Sequence, residues 1–179
     1  MLKIAALVVL VLVAGVLVYA ATLPDQFRIE RSTVINASPD KIFPFIHNFK
    51  QWTAWSPWEN VDPALKRTYG GPEAGVGANY AWEGNRNVGS GRMEIREVRP
   101  GERIAIQLDF FSPMEAHNTA EFTLAKDGPG TKVTWAMFGP SPYVSKLMGL
   151  FFNMDRMVGG MFAQGLANLK AVAEKPAGQ

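Results

Sequence analysis

The sequence predicts an α+β fold: a seven-stranded antiparallel sheet covered by one long C-terminal helix. Two short helices follow the first strand, and a transmembrane helix precedes the domain. Three observations carry this reading. From Pro142 to Ala173 the apolar residues recur with a helical period. From Leu65 to Phe138 they alternate in short runs parted by turn residues. From Ile4 to Ala21 the chain is apolar and uncharged.

With its flanks this N-terminal run reaches about 20 residues, enough at 1.5 Å each to cross roughly 30 Å of hydrocarbon. Tyr19 falls where an amphipathic ring meets the membrane surface. Val18-Tyr19-Ala20 also offers a small-residue cleavage pattern, so a signal peptide is the rival reading. The run is long for a cleaved segment, and a retained anchor over residues 1–23 is expected. Lys3 on one side and Arg28 and Arg31 on the other nearly balance. A short N-terminal head commonly stays inside, which puts the domain on the outer side of a bacterial inner membrane. Residues 24–26 form a linker, 27–173 the folded domain and 174–179 a polar tail.

Phe27 to Ile35 alternates and is β-branched, so it reads as the first strand. Ser38-Pro39 supplies a helix cap and a first-turn proline, with Ile42, Phe43, Phe45 and Ile46 as the apolar stripe. Pro44 keeps that helix short, and a second short helix runs from Phe49 to Trp55. Six strands follow, near Leu65–Tyr69, Ala78–Trp82, Gly89–Val98, Arg103–Phe110, Ala116–Ala125 and Thr131–Phe138. The turns between them, such as Gly84-Asn85 and Pro100-Gly101, are short, which makes the sheet antiparallel. The last helix is expected unbroken from Pro142 to Ala173, with Pro176 beyond its end. Leu147, Leu150, Phe151, Met154, Val158, Met161, Leu169 and Val172 share its apolar side. Gly159, Gly160 and Gly165 inside it each cost about 1 kcal/mol against alanine. Close packing of a strand, or room left for a guest, must offset that cost.

The 18 basic and 16 acidic residues are scattered, and no basic block suggests nucleic-acid binding. The absence of cysteine removes disulfides, thiolate nucleophiles and cysteine-ligated zinc together. The two histidines, His47 and His117, sit in no ligand-spaced motif, so neither a metal nor a cofactor is expected.

Several short pieces occur in a telling order: Ile35-Asn-Ala-Ser-Pro-Asp40, Trp52-Thr-Ala-Trp-Ser-Pro-Trp58 and Gly75-Val-Gly-Ala78. Tyr80-Ala-Trp-Glu-Gly-Asn85, Gly89-Ser-Gly-Arg-Met93 and Phe111-Ser-Pro-Met114 come next. Thr131-Lys-Val-Thr-Trp135 and Gly165-Leu-Ala-Asn-Leu-Lys170 close the series. With them, the chain from about Phe27 to Lys170 resembles the START-like, or SRPBCC, superfamily of helix-grip folds. Within it the resemblance is to the membrane-anchored polyketide cyclase–like members. That resemblance implies a curved sheet gripping the long helix. It also implies a cavity between them for a hydrophobic small molecule: a lipid, sterol, polyketide or aromatic compound. These are fold motifs, and the superfamily hosts many functions.

The candidate cavity residues follow. Trp52, Trp55 and Trp58 recur every three residues, as a gate over a cavity mouth or as a plug sealing the core. Trp82 and Trp135 lie on strands, and Val133, Trp135 and Met137 share one strand face. That face is expected to look toward Met154, Val158 and Met161. Phe110 and Met114, at and beyond a strand end, extend the lining. Asn118 is in phase with Ala120 and Phe122, so it points inward and needs a partner, from the core or from a ligand.

No paired carboxylates, Ser–His–Asp set or phosphate loop is present. Asp155, Glu94, His117 and Tyr80 are the acid–base groups available, and none is assigned a catalytic role. Asp155 beside Arg156 reads as a solvated ion pair. Three classes of function remain. A membrane-tethered module that binds a hydrophobic small molecule is favoured, because such ligands reside at membranes. A cyclase or dehydratase would need a deep pocket with a shifted acid or base. An interaction protein with a filled core, as in co-chaperone relatives of the superfamily, would need a protein partner and an exposed apolar patch near Met148 and Phe152.

Overall fold

The structure, a computed structural model, describes residues 1–176. Helix α1 (Leu2–Thr22) stands clear of the domain over most of its length, and Ala20 is its one buried residue. Strand β1 (Gln26–Ile35) leads to α2 (Pro39–His47) and then to two 3-10 helices, Phe49–Ala54 and Pro57–Asn60. A meander follows: β2 (Lys66–Gly70), β3 (Asn79–Glu83), β4 (Ser90–Arg99), β5 (Arg103–Ser112), β6 (Ala116–Asp127) and β7 (Gly130–Pro140). Helices α3 (Tyr143–Gly149) and α4 (Met154–Ala173) end the fold.

All strand pairs are antiparallel, in the order β1-β7-β6-β5-β4-β3-β2. The meander follows from short turns, and β1 closes the sheet by pairing with the last strand, Gln26 opposite Pro140 and Ile35 opposite Thr131. A register shift between Ile95 and Glu97 adds the local bend of a bulge. On every strand alternate residues turn to one face, where α2, the 3-10 helices and α4 cover them.

The C-terminal helix departs from expectation twice. It is not continuous: α3 stops at Gly149 and α4 starts anew at Met154. Asn153 explains the restart. Its side chain accepts a hydrogen bond from the Arg156 amide at 2.8 Å, as a helix cap does. The apolar spacing runs on across the break because Phe151 and Phe152 remain solvent-facing. The buried face is also turned. Gly159, Phe162, Gly165, Leu166, Leu169 and Ala173 face the sheet. Met154, expected inside, is 47% exposed, while Val158 and Met161 are half-buried.

The glycines cause this rotation. A Cβ on Gly165 would lie 2.8 Å from the Trp135 ring and 3.0 Å from Pro57 Cδ. One on Gly159 would overlap the Arg31 guanidinium. The missing side chains are therefore the surface on which α4 approaches the sheet. Of the expected tail, Glu174 accepts a hydrogen bond from the Asn36 amide at 2.6 Å, and Lys175 O accepts one from Lys41 at 2.7 Å. Residues 177–179 lie outside the described residues.

Candidate functional site

The side chains between the sheet and α4 form one buried core. Tryptophans fill its centre. Trp135 stacks on Phe162 of α4, with centroids 4.3 Å apart and planes 13° apart, and on Phe122 at 4.9 Å. Trp52, Trp55 and Trp58 from the 3-10 helices meet Trp135 edge-on at 5.9, 5.3 and 5.4 Å. The indole N–H groups of Trp52 and Trp55 donate to Ile46 O and Phe45 O, each at 2.9 Å. The proline-interrupted chain there repeats Trp at the three-residue period of a 3-10 helix, so these rings project together. Of the gate and plug readings, this arrangement is the plug.

Toward the end where β1 begins, the inward side chains stay buried while their exposure rises by a few per cent. On β7 exposure rises from Val133 (0%) through Trp135 (3%) to Met137 (6%). On β5 it rises from Ile106 (0%) to Leu108 (8%), and Phe110 is half-buried. Ile95 to Met93 on β4, and Phe122 to Ala120 to Asn118 on β6, follow the same course. The strand register puts all these rising ends on one side, where β1 begins and α1 leads in. Trp82 meets Phe110 edge-on there at 5.8 Å, and Val158 packs over the same core from α4. Trp82 and Met137 remain in the buried core, and Phe110, Asn118, Val158 and Met161 are half-buried at its margin. Met114, at the β5–β6 turn, is 47% exposed, as is Met154.

Asn118 sits opposite Gly139, whose missing side chain leaves room for the amide. The acid–base groups are placed elsewhere. Glu94 points away from the cleft and pairs with Arg92 and Arg96 at 2.6 and 2.8 Å. His117 also points outward, and its Nδ1 lies 2.9 Å from Asp109. That hydrogen bond raises the imidazole above its ordinary value against the opposing effect of burial, and the negative charges of Asp109 and Glu115 add to the rise. Asp155 does not pair with Arg156. It binds Arg31 in a forked contact, 3.0 Å from Nη1 and 2.8 Å from Nη2. Arg31 lies on the inward side of β1, in phase with Ile29 and Thr33.

Tyr80 is the one acid–base candidate inside the cleft. Its hydroxyl donates to Glu59 Oε1 at 2.9 Å, and Arg67 Nε donates to Glu59 Oε2 at 2.5 Å. Burial, and then the Glu59 charge, push the phenol far above its ordinary range. Glu59 and Arg67 were missed in the sequence, where nothing marks their pairing across the strand connection. Both carboxylate oxygens are occupied, so the group is a satisfied buried ion pair. Two surface concavities, of about 180 and 380 Å³, lie along the β2–β3 side rather than in the cleft, and both open to solvent.

An antiparallel sheet wrapped against a long C-terminal helix defines a helix-grip protein. Residues 26–174 match the family model described as polyketide cyclase / dehydrase and lipid transport, and the chain belongs to that family of the SRPBCC superfamily. Among solved structures, protein CV1439 from Chromobacterium violaceum is 18% identical, with a TM-score of 0.59 over 86% of this chain and 100% of its own. The Aha1 dimer from Colwellia psychrerythraea is 19% identical, with a TM-score of 0.57 over 85% and 99%. The di-domain ARO/CYC BexL from the BE-7585A biosynthetic pathway is 16% identical, with a TM-score of 0.62 over 89% of this chain and 54% of its own. At such identities the likeness is one of fold. Among curated proteins no sequence matches.

Proposed function

We propose that this protein is a membrane-anchored binder of a hydrophobic small molecule, held at the accessible end of the cleft. The observation that carries the reading is the rise in exposure along four adjacent strands toward the side where α1 joins the domain. Large apolar side chains with one inward amide, Asn118, are the lining that an apolar guest with a single polar group requires. Helix α1, 21 residues long and uncharged after Lys3, serves as the anchor. A guest that partitions into lipid would then reach the cleft without crossing water. The family description, which includes lipid transport, supports the same reading.

The tryptophan plug favours a second reading, a protein-interaction domain with a filled core. Native mass spectrometry of the full chain, released from detergent after incubation with a lipid extract, separates the two. The binder reading expects a reproducible added mass that disappears when Met137 and Met161 are both replaced by Trp, changes that leave α1 untouched. A mass without adduct, or an adduct unaffected by the double substitution, removes the binder reading and leaves the filled-core one.

A further inference from the structure

The exposed apolar side chains outside α1 are not spread evenly. Val34, Val61, Tyr69 and Val76 are dispersed over the rest of the domain. The others gather at the end where α1 enters. Val144 and Met148 on α3 are 61% and 39% exposed, and Phe151 and Phe152 in the link to α4 are 75% and 57% exposed. Met157, one turn into α4, is 61% exposed. Phe111 and Met114, at the β5–β6 turn on the same side of the sheet, are 57% and 47% exposed. An apolar cluster of this kind on an otherwise polar surface marks a contact surface.

The position of α3 relative to α1 identifies the contact. Tyr143 donates a hydrogen bond to Leu17 O at 2.9 Å, and Lys146 binds Asp25 Oδ1 at 2.6 Å. Ala20, between these levels of α1, is fully buried. Leu17 precedes the last residue of α1, Thr22, by five positions, so the Tyr143 contact lies roughly 7 Å inside the helix end at 1.5 Å per residue. A bilayer's headgroup layer is about that deep on each side, which leaves about 24 Å of α1 for the hydrocarbon, a mismatch that modest thinning of the bilayer takes up. Tyr19 and Tyr143 therefore stand at one level, as in an interfacial aromatic belt. A helix bound to α1 at that depth cannot remain in bulk water once α1 spans the bilayer.

We propose that α3 and the Leu150–Asn153 link lie in the headgroup layer of the membrane that α1 enters, with Val144, Met148, Phe151 and Phe152 directed at the acyl chains. This inference rests on α1 being a membrane anchor. The occupant of the apolar surface is the lipid bilayer, because the surface is continuous with the helix that enters it. An interfacial helix held in this way is monotopic, and its apolar side chains reach about 5–10 Å into the boundary. The domain would then sit on the bilayer with its β5–β6 turn downward, and the cleft would open at lipid level.

The chain has no cysteine, so single cysteines report cleanly. The full chain, in nanodiscs of phosphatidylethanolamine and phosphatidylglycerol, would carry an environment-sensitive fluorophore at Leu12→Cys, Val144→Cys, Phe152→Cys or Asp127→Cys. Nitroxides placed shallow or deep on the acyl chains act as quenchers. The expected result is quenching at residues 144 and 152 by the shallow nitroxide, at residue 12 by the deep one, and at residue 127 by neither. Quenching at residue 12 with none at 144 or 152 overturns the docked surface and leaves the anchor standing. Quenching at 144 and 152 with none at 12 removes the anchor reading and, with it, the inference that rests on it. No quenching at any position overturns both.

Discussion

Gly159 of α4 lies against the guanidinium of Arg31 on β1, in the space that a Cβ would take. Arg31 is held by its fork onto Asp155 and by a hydrogen bond to Glu30 O at 2.7 Å, so moving it gives up those contacts. In an unconstrained helix, glycine to alanine would gain up to about 1 kcal/mol. Gly160, one residue on, has nothing within 4 Å of its would-be Cβ. Gly160→Ala is therefore expected to stabilise by about 0.5–1 kcal/mol. Gly159→Ala displaces the guanidinium, and losing the exposed Arg31–Asp155 contact, worth up to about 1 kcal/mol, should cancel most of the helix gain, leaving it near neutral. Gly165→Ala, which presses on an indole ring and a proline, should cost about 1–3 kcal/mol. Chemical denaturation of the three variants checks the order.

The same glycines mark where the sequence stops being legible. Strand alternation is a local property, and it located all six strands of the meander to within a few residues. The buried face of α4 is not local. A periodicity reading scores side chains by size, and it put Met154 inside. Contact in fact follows the absence of a side chain at Gly159 and Gly165. The restart at Asn153 was hidden for a related reason, since an apolar stripe does not reveal whether solvent or core receives Phe151 and Phe152. In the cleft, periodicity placed Met137 and Asn118 inward but could not pair Glu59 with Arg67, because that contact depends on how the 3-10 helices cross the sheet.

Trp135 is the centre of the aromatic cluster, yet its Nε1 has no hydrogen-bond partner. An unmet buried donor costs about 1–3 kcal/mol, which removal of the group restores. Trp135→Phe loses ring contact but also removes the orphaned N–H, so its net cost should be under about 1 kcal/mol. Trp55→Phe loses contact and leaves Phe45 O unpaired, for a cost of about 2–4 kcal/mol. Thermal unfolding of the two variants should separate them clearly. Equal losses would mean that the indole nitrogen of Trp135 is satisfied in solution.

The Glu59–Arg67–Tyr80 group is the domain's buried ion pair, with the Glu59 side chain 5% exposed. Arg67→Met leaves that carboxylate without its cation and is expected to cost about 3 kcal/mol, the low end for a buried pair because Arg67 is itself 28% exposed. Replacing the whole group, as Glu59→Leu, Arg67→Met and Tyr80→Phe together, should recover most of the loss, because no charge then remains to be desolvated. A triple variant as unstable as the single one would show that the group shapes the β2–β3 edge beyond its electrostatics.

His117 and Asp109 make stability depend on pH. The hydrogen bond to Asp109 raises the folded imidazole above its ordinary value of about 6.5. For a group with a raised folded value, the stabilisation is fully present below the unfolded value and is lost as pH rises through the folded one. Burial opposes ionisation of Asp109, but hydrogen bonds from His117 and Gln107 prevail and hold it below its ordinary value. Its contribution is present above that ordinary value, near 4, and is lost as pH falls through the folded value. The pair should therefore stabilise most between about pH 4 and 6.5 and fade above. The wild-type chain is expected to melt above His117→Gln at about pH 5.5 and to match it near pH 8. A histidine-resolved NMR titration should give a raised His117 midpoint that returns toward its ordinary value in Asp109→Asn. An unchanged midpoint in that variant would assign the shift to Glu115, whose carboxylate lies 3.5 Å from Nε2.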